Sequence, residues 1–541
     1  MPDALPEPAP RSRHARLAVA LAGVGAAAAQ VVVIRELLVA SAGNELSIAA
    51  VLSAWLFWSA VGSWLGGRVL SRSHRSPVLH VTILALVEVA VLALALGLAR
   101  GGLFALREVS GGALVTLHLV PIAGGTLSLP QLLLLTTLVV APTGLLLGWQ
   151  FAAGCALLKG TDDETQAHRV SLSVPEVAAT SAAPQPAHGS TAAYIADSLG
   201  HLAGGAALSL AVVTRVPAEW VLVVAVALVL GGVWLLRPMP GRLAVGLALV
   251  AALLIGAPRF RERTLALRWA PHQLLASLDG PVGNVAILGG EGGELTFFAN
   301  GSHAFETGAA LAGEQWVDIP LLAHEDPRQI LLIGGGPRTL REVLAHDPER
   351  VVYFELDPTI IHAVREHAPA DLSSVLDDPR VQVSLGDARL HLPAIARTDE
   401  HFDVVLVALG DPTTAQLNRY YTLRWFAQVR RVMAPRGLIA FQVMSSGDYL
   451  SEELRAYDAC VFHTARRAGL TMTVFPGPHM TMVGATEADV PGVFADAMAL
   501  DARIRSRGLD PRRCSPPSTT PSTPSAARTV SANSSRRQMC A

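Results

Sequence analysis

Uncharged runs long enough to cross a bilayer fill the first half of the chain and constrain its fold more than any other feature. Leu17–Ile34 is 18 residues without a charge, Ser47–Gly67 is uncharged and carries Trp55, Trp58 and Trp64, and Pro130–Leu158 runs for 29 residues. Pro77–Ala99 carries a single acidic residue, Glu88. A helix rises 1.5 Å per residue, so about 20 apolar residues cover the ~30 Å hydrocarbon layer and about 17 is the usual lower limit. Ser198–Thr214, Trp220–Leu236 and Leu243–Pro258 are shorter runs of the same kind. Seven crossings are expected, with Val109–Thr126 (His118, Pro121) as a candidate eighth. Composition agrees: 541 residues, 51% hydrophobic and 16% charged, are too apolar for a soluble protein of this length.

The basic start (Arg11, Arg13, His14, Arg16) before the first run resembles a signal peptide, but no cleavage-like polar stretch follows, so the run reads as a first crossing. Ionisable residues within the apolar region are Arg35, Glu36, Glu45 and Glu88. The first three fit an interfacial position, and Glu88 lies mid-span, where an unpaired carboxylate is costly. All four are also candidates for a polar pathway between helices. Formal net charge is −2, which excludes bulk attraction to nucleic acid. The four cysteines, Cys155, Cys460, Cys514 and Cys540, have no metal-ligand spacing, so neither a zinc site nor a disulfide framework is expected.

Past Arg259-Phe260-Arg261 the composition turns soluble. Asn284–Leu288 and Glu294–Ala299, joined by five residues with four glycines, predict a β-hairpin. Gln329–Leu340 reads QILLIGGGPRTL: a buried strand running into three glycines and then a helix. Glycine lets the backbone approach a ligand closely, and the helix aims its N-terminal amides at the same point. Glu355 ends the next apolar run, 19 residues after Gly336, where ribose hydroxyls are held in nucleotide-binding sheets. Val381–Leu385 then ends in Gly386-Asp387-Ala388, and Phe402–Val407 leads to Gly410-Asp411-Pro412. Four strands thus end in small or acidic residues at the edge that forms the crevice of an open parallel sheet.

This order of strand tips resembles a class I Rossmann-like domain that binds S-adenosyl nucleosides, and more narrowly the spermidine synthase (polyamine aminopropyltransferase) family, in its membrane-fused branch. The family pattern GGGDG, strand-end acid, GD(A/G), D-x-x-DP, (F/Y)-(T/S) reads here as Gly334-Gly335-Gly336-Pro337-Arg338, Glu355, Gly386-Asp387-Ala388, Ala408-Leu409-Gly410-Asp411-Pro412 and Tyr421-Thr422. The resemblance covers about Leu274–Ala485. Asn300-Gly301 stands at the family's Asp-Gly, and Ala304 at a usual Gln. Glu314–His324 stands at a helix whose Tyr-His-Glu triplet is here Asp318-Ile319-Pro320.

The resemblance implies decarboxylated S-adenosylmethionine or S-adenosylmethionine as substrate, no metal, and a small-molecule amine. It implies nucleoside contacts from Gly334, Gly335, Gly336, Glu355, Asp387 and Ala388, and a substrate wall from Asn284, Asp318, Tyr420 and Tyr421, with Trp316 as a further wall residue. The proposed proton acceptor, first Asp of D-x-x-DP, is Ala408, and the Asp of GGGDG is Pro337, so neither supplies an acceptor. Asp411 is the carboxylate that remains, as amine anchor or displaced base. Three readings stay open: an aminopropyltransferase of altered specificity, a nucleoside-binding domain without aminopropyl transfer (methyltransferase-like or a sensor), and a membrane transporter or scaffold regulated by this domain.

The expected organisation is a basic tail, residues 1–16; a multi-pass α-helical membrane domain, 17–258, with a polar loop 159–192; a small β-region and linking helix, 259–327; an α/β Rossmann-like domain, 328–487; a helical end, 488–507; and a disordered Pro/Ser/Thr-rich tail, 508–541. Partners are the lipid bilayer and the amine, with no nucleic acid; a homodimer is left open. Arg68, Arg72 and Arg75 join the N-terminal arginines on one side, which the positive-inside rule makes cytoplasmic. A domain using cytosolic nucleosides is expected to face the cytoplasm from a bacterial-type inner membrane. That demands an even count, eight, against the charges of the later loops (Lys159, Arg169, Arg237, Arg242).

Overall fold

The computed structural model describes residues 10–41, 45–73, 76–102, 129–172, 188–213, 216–290, 293–308, 311–446, 450–477, 479–486 and 497–509. The chain forms two compact units, Met1–His303 and Ala304–Ala541.

In the first unit seven long helices follow in order: α1 (Pro10–Ala40), α2 (Leu46–Arg72), α3 (Pro77–Gly97, continued by a π turn Leu98–Gly102), α4 (Leu129–Leu172), α5 (His188–Val213), α6 (Ala218–Leu236) and α7 (Pro240–Trp269). Six of them, all but α5, are long and apolar enough to cross a membrane. Ser76 caps α3 by accepting from Leu79 N, with Pro77 in the first turn where its missing N–H costs nothing. Several expected boundaries shift. Residues 10–16 are helical rather than a tail, and the break at 258/259 falls inside α7. The polar loop 159–192 is helical at both ends, because Thr161–Leu172 contains neither Gly nor Pro to stop α4. Val109–Thr126 and residues 173–187 lie outside the described residues.

Close approaches at glycine fix the helix directions. Gly62 and Gly66 of α2 meet Leu145 and Trp149 of α4, and Ser63 Oγ donates to Gly148 O at 2.9 Å, so α2 and α4 run the same way. Gly200 and Gly204 of α5 meet Ala20 and Val24 of α1, again in parallel, whereas Gly232 and Gly25 set α6 antiparallel to α1 against Ala18 and Val229. α3 therefore ends on the face where α4 begins, so the seven described helices make an odd number of strokes, and the expected eighth run lies outside the described residues. The start of α1 and the end of α7 lie at opposite ends of the bundle.

The far end of the bundle holds a buried charge network. Arg100 donates to Glu36 at 2.8 Å and Glu219 at 3.1 Å; Arg261 reaches Glu219 at 2.9 Å and Asp279 at 3.1 Å; Arg35 pairs with Asp279 at 2.7 Å, and Arg268 lies 3.7 Å from Glu36. Glu36, Arg100 and Arg268 are buried. Arg35 and Glu36 are thus each paired, with Asp279 and Arg100, and such pairing is what makes buried charge tolerable. Glu45 is exposed. Glu88 is 1% exposed and accepts from Gln150 Nε2 at 2.7 Å. After α7 the predicted hairpin forms within an antiparallel meander, β1 (Gln273–Asp279), β2 (Asn284–Gly289) and β3 (Leu295–Ala299). β4 (Ser302–Glu306) carries the chain across the unit boundary.

In the second unit, helix α8 (Leu311–Ala323) precedes a mixed seven-stranded sheet. Its strands are β5 (Gln329–Gly334), β6 (Arg350–Glu355), β7 (Val381–Leu385), β8 (Phe402–Ala408), β9 (Met433–Met444), β10 (Thr471–Phe475) and β11 (His479–Ala485), in the order β10-β11-β9-β8-β5-β6-β7. β5 to β9 are mutually parallel, β11 runs antiparallel to β9, and β10 antiparallel to β11. Ile330–Ile333 and Val404–Val407 are at most 3% exposed, as expected for strands covered on both faces. The strand order reverses between β5 and β8, which is where open α/β sheets take ligands.

Candidate active site

Three successive left-handed residues, Gly334 (φ 72°), Gly335 (φ 82°) and Gly336 (φ 68°), turn β5 into helix α9 (Gly336–Leu344). A Cβ on Gly335 would lie 2.6 Å from Ala408 Cβ and 2.7 Å from Thr339 Oγ1, and one on Gly336 would strike the Phe305 ring. Glycine is required here by both conformation and space. Pro337 sits in the first turn of α9, and Arg338 is buried, donating to Glu306 O at 3.5 Å.

At the tip of β6, Glu355 is 6% exposed and points along the same strand face as Tyr353, two residues earlier. Its Oε2 accepts from Tyr353 OH at 2.8 Å and its Oε1 from Asp357 N at 3.2 Å. The Gly336 N–H lies beside the Tyr353 hydroxyl and acts to favour its ionised form against burial. The acidic tip of β6 thus lies beside the triple-glycine turn of β5. Burial pushes the Glu355 carboxyl up to about 7, against the lowering effect of the bonds from Asp357 and Tyr353. Asp357 caps helix α10 (Pro358–His367), accepting from Thr359 N at 2.9 Å.

Asp387 follows β7 and caps helix α11 (Ala388–Ile395) through Arg389 N at 3.0 Å. The Arg389 guanidinium also pairs with it, and Tyr420 OH donates to its Oδ1 at 2.8 Å. Burial works to raise this carboxyl, but the bonds from Arg389 and Tyr420 outweigh it and hold it below the usual aspartate value. Ala388 is buried as the first residue of α11, where helix N–H groups have no intrahelical acceptor.

Residues 311–488 match the spermine/spermidine synthase domain family. A polyamine aminopropyltransferase of a Thermoanaerobacter species is 30% identical over 224 residues, covering 40% of this chain and 74% of that protein. The chain belongs to the polyamine aminopropyltransferase family. The corresponding enzyme of Aeropyrum pernix is 32% identical over 186 residues, 34% of this chain, and the match spans only 57% of its length. Among solved structures, a spermidine synthase in complex with the transition-state analogue AdoDATO is 21% identical, with TM-score 0.33, covering 40% of this chain and 75% of that one.

Against the family pattern, the β8 end differs most. Ala408 is paired in register with Gly334 and offers only a methyl group. Asp411 Oδ1 accepts from Met444 N at 2.6 Å and Tyr457 OH at 2.9 Å. Of the expected wall residues, Tyr420 reaches the site through its hydroxyl on Asp387. Tyr421 is 5% exposed and donates to Gly410 O at 3.0 Å. Asp318 departs from expectation: it is 2% exposed, and its carboxylate is used in the core by buried His346 Nε2 at 2.7 Å. Asn284 departs too: its Nδ2 is used within its own sheet, on Ser277 Oγ at 3.0 Å and Asp279 Oδ1 at 2.9 Å. Trp316 is buried. No cluster of metal-binding side chains occurs among the described residues. Tyr353, Tyr457 and Asp458 were not singled out from the sequence. Only Tyr353 had a signal, its place two residues before a strand-end acid.

Proposed function

We propose that the synthase unit binds decarboxylated S-adenosylmethionine, or a related adenosyl-sulfur nucleoside, at the tips of β5, β6 and β7, and transfers its aminopropyl group to a polyamine. The observation that carries this reading is the Tyr353–Glu355 pair at the tip of β6, beside Gly336. It presents a buried carboxylate beside a turn that a backbone-hugging ligand can approach, while Asp387 and the α11 amides sit one strand further for the base. In the transfer, the neutral amine nitrogen attacks the methylene carbon next to the sulfonium. The C–N bond forms, the C–S bond breaks with its pair returning to sulfur, and 5′-methylthioadenosine leaves. The proton shed by nitrogen leaves to water, since Ala408 supplies no acceptor, and Asp411 is the carboxylate left to hold the amine. The test is release of 5′-methylthioadenosine by the full chain in detergent, given putrescine and decarboxylated S-adenosylmethionine. Nucleoside binding without release leaves a binding domain or a methyltransferase-like enzyme, and no binding removes both.

The helix bundle is read as a multi-pass membrane anchor, and its helix directions argue for an extracytoplasmic synthase unit. Arg13, Arg16, Arg68, Arg72, Lys159 and Arg237 are exposed at the end where α1 begins. At the other end only Arg259 and Arg263 are exposed among the described arginines of α7, while Arg35, Arg100, Arg261 and Arg268 are tied to Glu36, Glu219 and Asp279. The positive-inside rule then makes the α1 start cytoplasmic and the α7 exit external, opposite to the orientation that ligand chemistry alone suggests. Alkaline phosphatase fused after residue 509 is expected to be active; a fluorescent cytoplasmic reporter signal there overturns this orientation.

A transport reading is favoured by one further feature. A cavity of about 450 Å³ between the helices is lined by Asp197, His201, Gln150, Trp55 and Tyr194, with Gln150 bonded to buried Glu88. Glu88→Gln slowing putrescine uptake into vesicles would support it, and unchanged uptake would remove it.

A further inference from the structure

We infer that Asp458, together with Asp411, forms an ammonium-binding site at the β8–β9 end of the sheet, taking a charged end of an aliphatic di- or polyamine. The inference rests on the amine-acceptor reading above and adds to it a residue that the strand-tip motifs do not contain.

Asp458 lies on helix α13 (Glu452–Arg467), the helix after α12 (Leu423–Val432) and 47 positions beyond Asp411 in the chain. Two neighbours bring the carboxylates together. Met444 N, at the end of β9, donates to Asp411 at 2.6 Å, and Ser445 Oγ, the next residue, donates to Asp458 Oδ2 at 3.2 Å. Tyr457, adjacent to Asp458 on α13, donates its hydroxyl to Asp411 at 2.9 Å. The two acids therefore flank one dipeptide of backbone.

The electrostatics of this cluster are one-sided. Asp458 is raised above the ordinary aspartate value first by burial, against the Ser445 bond, with the charge on Asp411 adding to the rise. The Tyr457 hydroxyl is likewise raised by burial and by Asp411, with Tyr421 and Asp458 contributing. No guanidinium or ammonium figures among these influences. Asp458 is 6% exposed, and its Oδ1 is buried without a hydrogen-bond partner among the described residues. A carboxylate oxygen left so costs the desolvation free energy of the group unless a donor fills it. A primary ammonium carries three donors and one positive charge, enough to satisfy that oxygen and Asp411 while relieving their repulsion. The rings of Tyr421 and Tyr457 suit the methylene chain behind it. Bound there, the ammonium leaves the other, neutral end of the amine to reach across β8 toward the β5 tip.

The experiment is calorimetric titration of putrescine into the full-length protein saturated with 5′-methylthioadenosine, for wild type, Asp458→Asn and Ser445→Ala, with butane-1,4-diol as the uncharged probe. Asp458→Asn keeps shape and removes charge, and its melting temperature reports folding separately. The expected result is putrescine affinity weakened at least tenfold in Asp458→Asn and less in Ser445→Ala, with unchanged affinity for 5′-methylthioadenosine and for the diol. Putrescine affinity within twofold of wild type in a folded Asp458→Asn overturns the assignment while leaving the transfer reading intact. Wild type that binds the nucleoside but no putrescine removes both.

Discussion

The two ends of one sheet edge follow different rules. At the β6–β7 end, the acids do two jobs. Asp357 and Asp387 cap α10 and α11, and Glu355 is locked by Tyr353 and Asp357 N. Losing a cap costs about 1 kcal/mol of stability, so the ligand-facing acids there are also fixed by the fold itself. At the β8 end, Ala408 caps no helix and offers only a methyl group, and Asp411 and Asp458 are held by Met444 N, Tyr457 OH and Ser445 Oγ rather than at helix starts. A nucleoside pocket built from helix caps is defended by folding; an amine pocket built from residues outside the caps can be exchanged at less cost to the fold.

The most severe way to break that contrast is at the turn both ends share. Gly335→Ala forces a Cβ into a left-handed residue and against Ala408 and Thr339. The cost is about 2–5 kcal/mol from strain and overpacking together. A large fall in melting temperature with loss of nucleoside binding is expected; a stable variant with normal affinity would mean that the close approach is not required.

Next in size is Glu355→Ala. Removing an ionised acceptor of ribose hydroxyls is expected to weaken nucleoside binding by roughly 10- to 150-fold, the worth of a hydrogen bond to a charged group. Putrescine affinity should barely move. A matching fall in both would erase the distinction between the two ends.

The two ends were also unequally legible from sequence. Strand runs ending in glycine or acid are a local pattern, so the positions of Gly334–Gly336, Glu355 and Asp387 and the parallel core of the sheet could be read directly. The β2–β3 hairpin was equally plain, and helix α8 was expected from the family resemblance. Asp458 could not be read, because its neighbour Asp411 is reached through tertiary packing of α13 rather than through spacing. Asp318 and Asn284 misled for the same reason: a polar residue at a motif position reads as a ligand contact until its partner, His346 or Ser277, is seen. In the helix bundle the runs gave the helices but not their directions. Those follow from glycine contacts between helices far apart in the chain, such as Gly62 with Leu145.

A smaller effect sharpens the contrast from the other side. Ala408→Asp returns an acceptor to the β8 tip beside Gly335. Turnover should rise about tenfold, below the ~10²–10⁴ of a fully positioned base, because Pro337 still lacks its acceptor. Nucleoside affinity should stay the same. Unchanged turnover, with the variant folded, would place the proton acceptor elsewhere, with Asp411 the residue to replace next.

The smallest expected effect is on pH, and it separates Glu355 from Asp387. Glu355, pushed up to about 7, is mostly protonated below neutrality in the empty site and must ionise to accept from two ribose hydroxyls. Nucleoside binding is then about fourfold weaker at pH 6.5 than at pH 8, by the ionised fraction alone, and Glu355→Gln removes that slope. Stability runs the opposite way. A carboxyl whose folded value lies above its unfolded value of 4.5 holds its proton longer in the folded state, so stability falls as pH climbs from about 4.5 to about 7. Asp387, held below 3.8, contributes stability that is present above that value and lost only on acidification. Melting temperature against pH for wild type and Glu355→Gln isolates the first term. If both curves coincide between pH 5 and 8, the Glu355 carboxyl is already ionised in the folded protein and the buried grip on the β6 tip is weaker than its geometry implies.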